Sequence, residues 1–216
     1  MSPLPPTREV TLCYVTDRKG LAVSPERQSE ALVEKIGSAA RAGVDWIQLR
    51  EKDLPGRALA ELLGEAIGRV PAGCRILVND RLDVACALSA GGVHLGEKSL
   101  SVEDARRLVR GRTDFLVGAS AHSLAAACSA EKAGADYLVF GPVYATPSKM
   151  QYGSPQGIDR LREVCRAVSL PVLAIGGITV ENARACFDAG AAGIAAIRLF
   201  AEAMDLAGVV KALRRR

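Results

Sequence analysis

The feature that most constrains this chain is alternation. Short aliphatic runs recur at 11–16, 44–49, 75–79, 92–95, 115–119, 136–140, 171–175 and 192–197. Between them lie stretches with apolar residues at three- and four-residue spacing, such as 27–41, 57–69, 101–110, 123–132, 158–168 and 180–189, and 200–214 closes the series. A short aliphatic run without polar alternation reads as a strand buried on both faces, and the longer spacing reads as one apolar face of a helix. Strands that alternate with helices pair in parallel through crossovers. Eight such repeats in 216 residues predict a closed barrel, a single (β/α)8 TIM barrel.

A second regularity points the same way. Ala42-Gly43-Val44-Asp45, Ala90-Gly91-Gly92, Ala133-Gly134-Ala135-Asp136 and Ala189-Gly190-Ala191-Ala192 precede the second, fourth, sixth and eighth strands. Each is read as a glycine just past a helix, in the left-handed cap position, before the chain enters a strand. Joints repeating every two βα units suit quarter-barrels better than the alternative, an open doubly wound sheet. No linker divides the chain, so residues 1–216 are expected to form one domain.

Composition narrows the function classes. The net charge of +4 is small and scattered; the one basic cluster, Arg214 to Arg216, is read as a solvated terminus, and no nucleic-acid partner is expected. The six cysteines form no C-x-x-C pair and are read as small hydrophobes in a reducing compartment. The start shows no signal peptide, and no run is long enough to span a membrane. A cytoplasmic protein acting on small molecules is expected, and the oligomeric state stays open.

Polar residues concentrate where strands end, and in a barrel those ends form one mouth. The second strand ends Gln48-Leu49-Arg50-Glu51-Lys52, the third Asn79-Asp80, and the fifth Ser120-Ala121-His122. The segment 141–157 after the sixth strand carries Thr146, Ser148 and Lys149, and a loop of that length in a compact domain is usually functional. Arg50, Lys52 and Lys149 aimed at one mouth repel one another unless an anion joins them, and a diphosphate meets that need. Taken alone, Arg50 has a plainer reading as a partner of Glu51 or Asp80.

Asp80 has two readings. It holds a magnesium ion shared with substrate phosphates, or it (or Asn79) caps the helix that begins near Arg81. Gly176-Gly177 after the seventh strand and Ile197-Arg198 after the eighth match the position of the usual barrel phosphate site. His94 lies within an aliphatic strand and is read as a satisfied core or mouth residue. His122 follows the fifth strand and is a candidate acid or base.

Six motifs occur in order: Gln48 to Lys52, Asn79 to Asp83, Gly92 to Gly96, Gly118 to Ser123, Gly141 to Lys149 and Ile175 to Thr179. Together they resemble the thiamine phosphate synthase family, which includes TenI-like thiazole tautomerases. The resemblance implies condensation of hydroxymethylpyrimidine diphosphate with a thiazole phosphate, releasing diphosphate. By position it implies that Gln48, Arg50, Lys52, Asn79, Ser120 and Lys149 hold the pyrimidine diphosphate, and that Asp80 binds magnesium. It places Thr146, Ser148, Gly177, Ile197 and Arg198 around the thiazole phosphate. Arg50, Lys52, Lys149 and His122 are then the catalytic candidates.

Two departures bear on that transfer. The family usually supplies a second magnesium carboxylate where this chain has Ser99, with Glu97 displaced by two residues. It usually carries a small serine where this chain has Arg198. A tautomerase, with His122 moving the proton, is the alternative activity. A barrel enzyme of other phosphorylated metabolites and a non-catalytic ligand-binding regulator are the readings from outside the family.

Overall fold

The computed structural model describes residues 10–146 and 154–215. Its strands are β1 (Thr11–Val15), β2 (Trp46–Leu49), β3 (Arg75–Asn79), β4 (Gly92–Leu95), β5 (Leu116–Ala121), β6 (Tyr137–Phe140), β7 (Val172–Ile175) and β8 (Gly193–Ala196). Consecutive strands pair in parallel, and β1 also pairs with β8 from Thr11↔Gly193 to Tyr14↔Ala196. That last pairing closes the barrel and excludes the open sheet.

Around it lie α1 (Gln28–Arg41), α2 (Gly56–Ile67), α3 (Leu82–Ala87), α4 (Val102–Leu108), α5 (Leu124–Lys132), α6 (Gly157–Ala167), α7 (Val180–Asp188), α8 (Arg198–Ala201) and α9 (Leu206–Arg214). The helix expected over 200–214 is in fact two. Asp205 accepts a hydrogen bond from the Gly208 N–H at 2.9 Å and so starts α9 afresh.

Alternation along each buried strand divides its side chains between two cores. One set packs outward against the helices, where Leu12, Ile47, Val93 and Leu138 meet Leu32, Ile36 and Leu63. The other fills the barrel interior with Cys13, Val15, Trp46, Leu77, Leu116, Tyr137, Val139, Leu173 and Ala195. The Trp46 and Tyr137 rings lie 4.8 Å apart at 58° there. Gly118 makes room for them, because a Cβ at that position would sit 2.0 Å from the Tyr137 ring. Gly118→Ala is expected to cost about 3 kcal/mol by overpacking, read as a lower urea midpoint.

Three of the four joints behave as read: Gly43, Gly134 and Gly190 all have φ near +100° or slightly less. The joint before β4 does not. Ser89, with φ of 52°, takes the left-handed position, and Gly91 is absent from that region. Gly91 has a different reason to be glycine: a Cβ there would lie 3.2 Å from the Arg75 Cβ and 3.3 Å from the Ile76 carbonyl.

The basic terminus is also tighter than read. Arg214 pairs with Asp45 at 2.9 Å and donates to the carbonyls of Gly43 and Val10, so it fastens α9 beneath the barrel. All six cysteines are free thiols. No helix among the described residues is long and apolar enough to cross a membrane.

Candidate active site

Strand register brings the polar ends together. Trp46 faces the barrel interior, so Gln48, two residues on, faces the same way at the mouth. Gln48 is buried and donates from Nε2 to Asn79 Oδ1 at 2.9 Å; Asn79 donates in turn from Nδ2 to Asp80 Oδ2 at 2.7 Å. Lys52 reaches the same Asp80 oxygen at 3.8 Å. Four of the expected residues therefore form one connected chain.

Asp80 does not cap a helix. The first residue before α3 is Arg81, and no side chain caps that helix. Asp80 instead adopts φ of 62°, a left-handed conformation that aspartate tolerates better than most residues, and turns its carboxylate to the mouth. Its Oδ1 accepts from Ser99 Oγ and from the Gly96 N–H at 3.2 Å. Burial alone would raise this carboxyl, but Ser99, Gly96, Lys52 and Asn79 together outweigh it and hold it below its usual value.

Ser99 thus hydrogen-bonds to Asp80 where a second carboxylate was expected. It also accepts from the Gly96 N–H at 2.8 Å. Glu97 is exposed, and among the described residues no cluster of three His, Cys, Asp or Glu side chains gathers as a metal cage.

Arg50 pairs with neither Glu51 nor Asp80. Glu51 is turned the other way, toward β1, where it accepts from Thr16 Oγ1 at 2.6 Å and from Arg18 Nη1 at 3.0 Å. The Arg18 backbone N–H also points at it, 3.2 Å from each carboxylate oxygen. The Arg18 guanidinium continues to Asp53 through two bonds of 2.7 Å. Arg18 holds the Asp53 carboxyl well below the carboxylate range, with Lys19 helping. Thr16 in turn accepts from the Arg50 N–H at 2.9 Å. This clamp on β1 fixes the backbone between Arg50 and Lys52.

His94 sits beneath these groups. Its Nε2 lies 2.9 Å from Ser120 Oγ and its Nδ1 lies 3.1 Å from the Tyr137 hydroxyl, as a satisfied mouth residue should. Burial pushes its pKa down to about 4; Asp80 opposes that shift, while Arg50 and Lys52 add to it. All three charges therefore act on one buried ring. A folded value below the usual 6.5 means that stability is whole above pH 6.5 and falls as pH drops toward 4. The expected loss is about 3 kcal/mol, and denaturant unfolding of His94→Gln over the same range should show a flatter profile than wild type.

The remaining candidates divide. Gly176 and Gly177 have φ of 98° and 63°, and a Cβ on Gly177 would lie 2.6 Å from the Ala145 carbonyl. Only glycine lets β7 turn this closely beneath the segment after β6. The Thr179–Asn182 capping box, with Asn182 Nδ2 donating to the Gly177 carbonyl at 2.9 Å, holds that turn. Thr146 is buried and Arg198 is exposed at the start of α8, with Ile197 before it. His122 is held through Nδ1 by the Gly141 carbonyl. Ser148 and Lys149 lie outside the described residues. The described ends of 141–157 are tied together, Gln156 N–H to the Pro142 carbonyl at 2.8 Å and Gly157 N–H to that of Val143 at 3.1 Å.

Comparison with known proteins decides the family. The family described as Thiamine monophosphate synthase matches residues 20–200. The chain belongs to the thiamine monophosphate synthase family. Relatives within it include the thiamine-phosphate synthase of Methanoculleus marisnigri, 46% identical over 82% of this chain and 84% of its own. That of Roseiflexus castenholzii is 39% identical over 98% and 90%. A solved thiamine phosphate pyrophosphorylase from Pyrococcus furiosus superposes with a TM-score of 0.75 at 34% identity, covering 95% of this chain and 94% of that one. Barrels such as 3-hexulose-6-phosphate synthase, at 18% identity and a TM-score of 0.68, share the fold.

Seen as a member of this family, the chain has site groups that the motifs alone did not reveal. Thr16 and Arg18 lie just after β1 and Asp53 just after the first motif, outside all six motifs. Tyr137 was read only as part of a strand. The available signal was parity: Glu51 shares the outward parity of Ile47 and Leu49, away from the mouth-facing Gln48.

Proposed function

We propose that this protein is a thiamine-phosphate synthase, joining hydroxymethylpyrimidine diphosphate to a thiazole phosphate with release of diphosphate. The observation that carries the reading is the junction of Gln48, Asn79, Asp80 and Lys52 in one chain of contacts at the mouth, within this family's barrel. Arg50 and Lys52 supply positive charge where a diphosphate leaves. In a dissociative step the carbon–oxygen bond to diphosphate breaks first, and the thiazole nitrogen then forms its bond to the pyrimidine carbon. Fixed cations lower that barrier because they meet charge that develops on the leaving group.

Magnesium fits the donors present. One carboxylate with substrate phosphates and water is a common magnesium set, and Asp80 would hold the ion with Ser99 beside it. When bound, it would neutralise diphosphate oxygens. Lys149 is assigned by position to the same diphosphate, and Thr146, Ser148, Gly177, Ile197 and Arg198 to the thiazole phosphate. The substrates are small phosphorylated molecules, and a cytoplasmic location follows from such metabolism.

This reaction needs no base at His122. Thiochrome fluorescence of the product is therefore expected to give a kcat/KM for His122→Ala within about tenfold of wild type. A larger loss, in a folded variant, would count against a dissociative synthase and for a proton-transfer role.

A further inference from the structure

Ser120, one residue before the end of β5, is half-buried between the mouth and the barrel interior. Behind it stands a chain of two buried groups, His94 and then Tyr137. The Tyr137 hydroxyl has no hydrogen-bond partner among the described residues except His94 Nδ1, and Tyr137 is 1% exposed. The hydroxyl is shielded from bulk solvent, so among the described groups its proton goes to that nitrogen or goes unpaired.

Two neutral arrangements fit these distances. If Nδ1 carries the ring proton, it donates to Tyr137 and the tyrosine proton is left buried without an acceptor. Nε2 then takes the serine proton, and Ser120 has nothing to donate to a ligand. If Nε2 carries the ring proton, Tyr137 donates to Nδ1 and Nε2–H donates to Ser120 Oγ. The serine proton is then directed to the mouth. Only the second arrangement pairs every buried donor, and an unpaired buried donor is the costlier state.

We propose that Tyr137 is a positioning residue that fixes His94 as the Nε2–H tautomer, so that Ser120 presents its hydroxyl proton to an anionic phosphate oxygen in the mouth. The relay is polarised from the barrel interior outward. It makes the Ser120 position a donor and disfavours ligand groups that themselves need an acceptor there. The ligand's identity rests on the diphosphate reading above, but the tautomer does not, and it is measured without substrate.

The test is a long-range 1H–15N spectrum of the ligand-free protein at pH 7. The chain has two histidines, so His122→Ala assigns them. The expected result is a His94 ring with Nδ1 bare and Nε2 protonated. A proton on Nδ1 overturns the proposal. In Tyr137→Phe, which keeps the ring against Trp46, a second tautomer is expected beside the first; a spectrum unchanged from wild type overturns the assignment to Tyr137. Should that variant not fold, the wild-type spectrum still decides the tautomer. Inorganic diphosphate is the probe for Ser120: Ser120→Ala is expected to bind it about tenfold more weakly, and equal binding overturns the donor role. A correct tautomer with no diphosphate binding by wild type would sink the diphosphate reading alone.

Discussion

Arg50→Ala is expected to lower kcat/KM for thiamine phosphate formation by about 10²- to 10³-fold, the usual cost of removing one fixed donor from a developing charge. The fold should not notice. Among the described residues the Arg50 side chain makes no recorded hydrogen bond or ion pair, since Glu51 is committed to Arg18 and Asp80 to Ser99, Asn79 and Lys52. Its removal also relieves repulsion with Lys52, so stability should change by under about 0.5 kcal/mol. Steady-state kinetics and a thermal melt of the same sample check both halves. An inactive variant that also melts early would assign Arg50 to structure. A stable variant with full activity would remove it from the site.

Glu51→Ala should show the opposite pattern, with a large stability cost. Its carboxylate is 2% exposed and takes bonds from the Thr16 hydroxyl and from both the backbone N–H and the guanidinium of Arg18. Loss of the acceptor strands these buried donors. Breaking such a pair costs about 3 kcal/mol; Arg18 keeps Asp53, which places the cost at the lower end. In a barrel of this size the melting temperature should fall by roughly 10 °C. Asp53, by contrast, is 42% exposed, and Asp53→Ala should cost under about 1 kcal/mol. Activity of Glu51→Ala below its melt should suffer mainly in KM for the diphosphate substrate, because the clamp aims Arg50 and Lys52 rather than touching the reacting atoms. Equal stability of the two variants would refute the clamp.

The contrast between neighbours 50 and 51 also shows how far the sequence reaches. Strand positions were legible because aliphatic runs bury on both faces, and the eight runs lie within a residue or two of the eight strands. Mouth residues were legible because strand ends converge. Partners were not. Whether Arg50 pairs with Glu51 or Asp80 depends on where Arg18 and Ser99 fold back, and both come from other elements. The Ser89 turn was hidden because glycines stand two residues further on and attract the assignment. The break before α9 was hidden because an N-capping aspartate, Asp205, lies inside an otherwise helical spacing. Asp80 had two readings from its position beside α3, and its backbone conformation removes the helix cap.

The measurement that bears most directly on the central claim is the stoichiometry of thiamine phosphate and inorganic diphosphate formed from pyrimidine diphosphate and thiazole phosphate, with magnesium and with EDTA. The account predicts one diphosphate for each thiamine phosphate, formed with magnesium and lost with the chelator. No thiamine phosphate from the folded wild-type protein with both substrates and magnesium would contradict it.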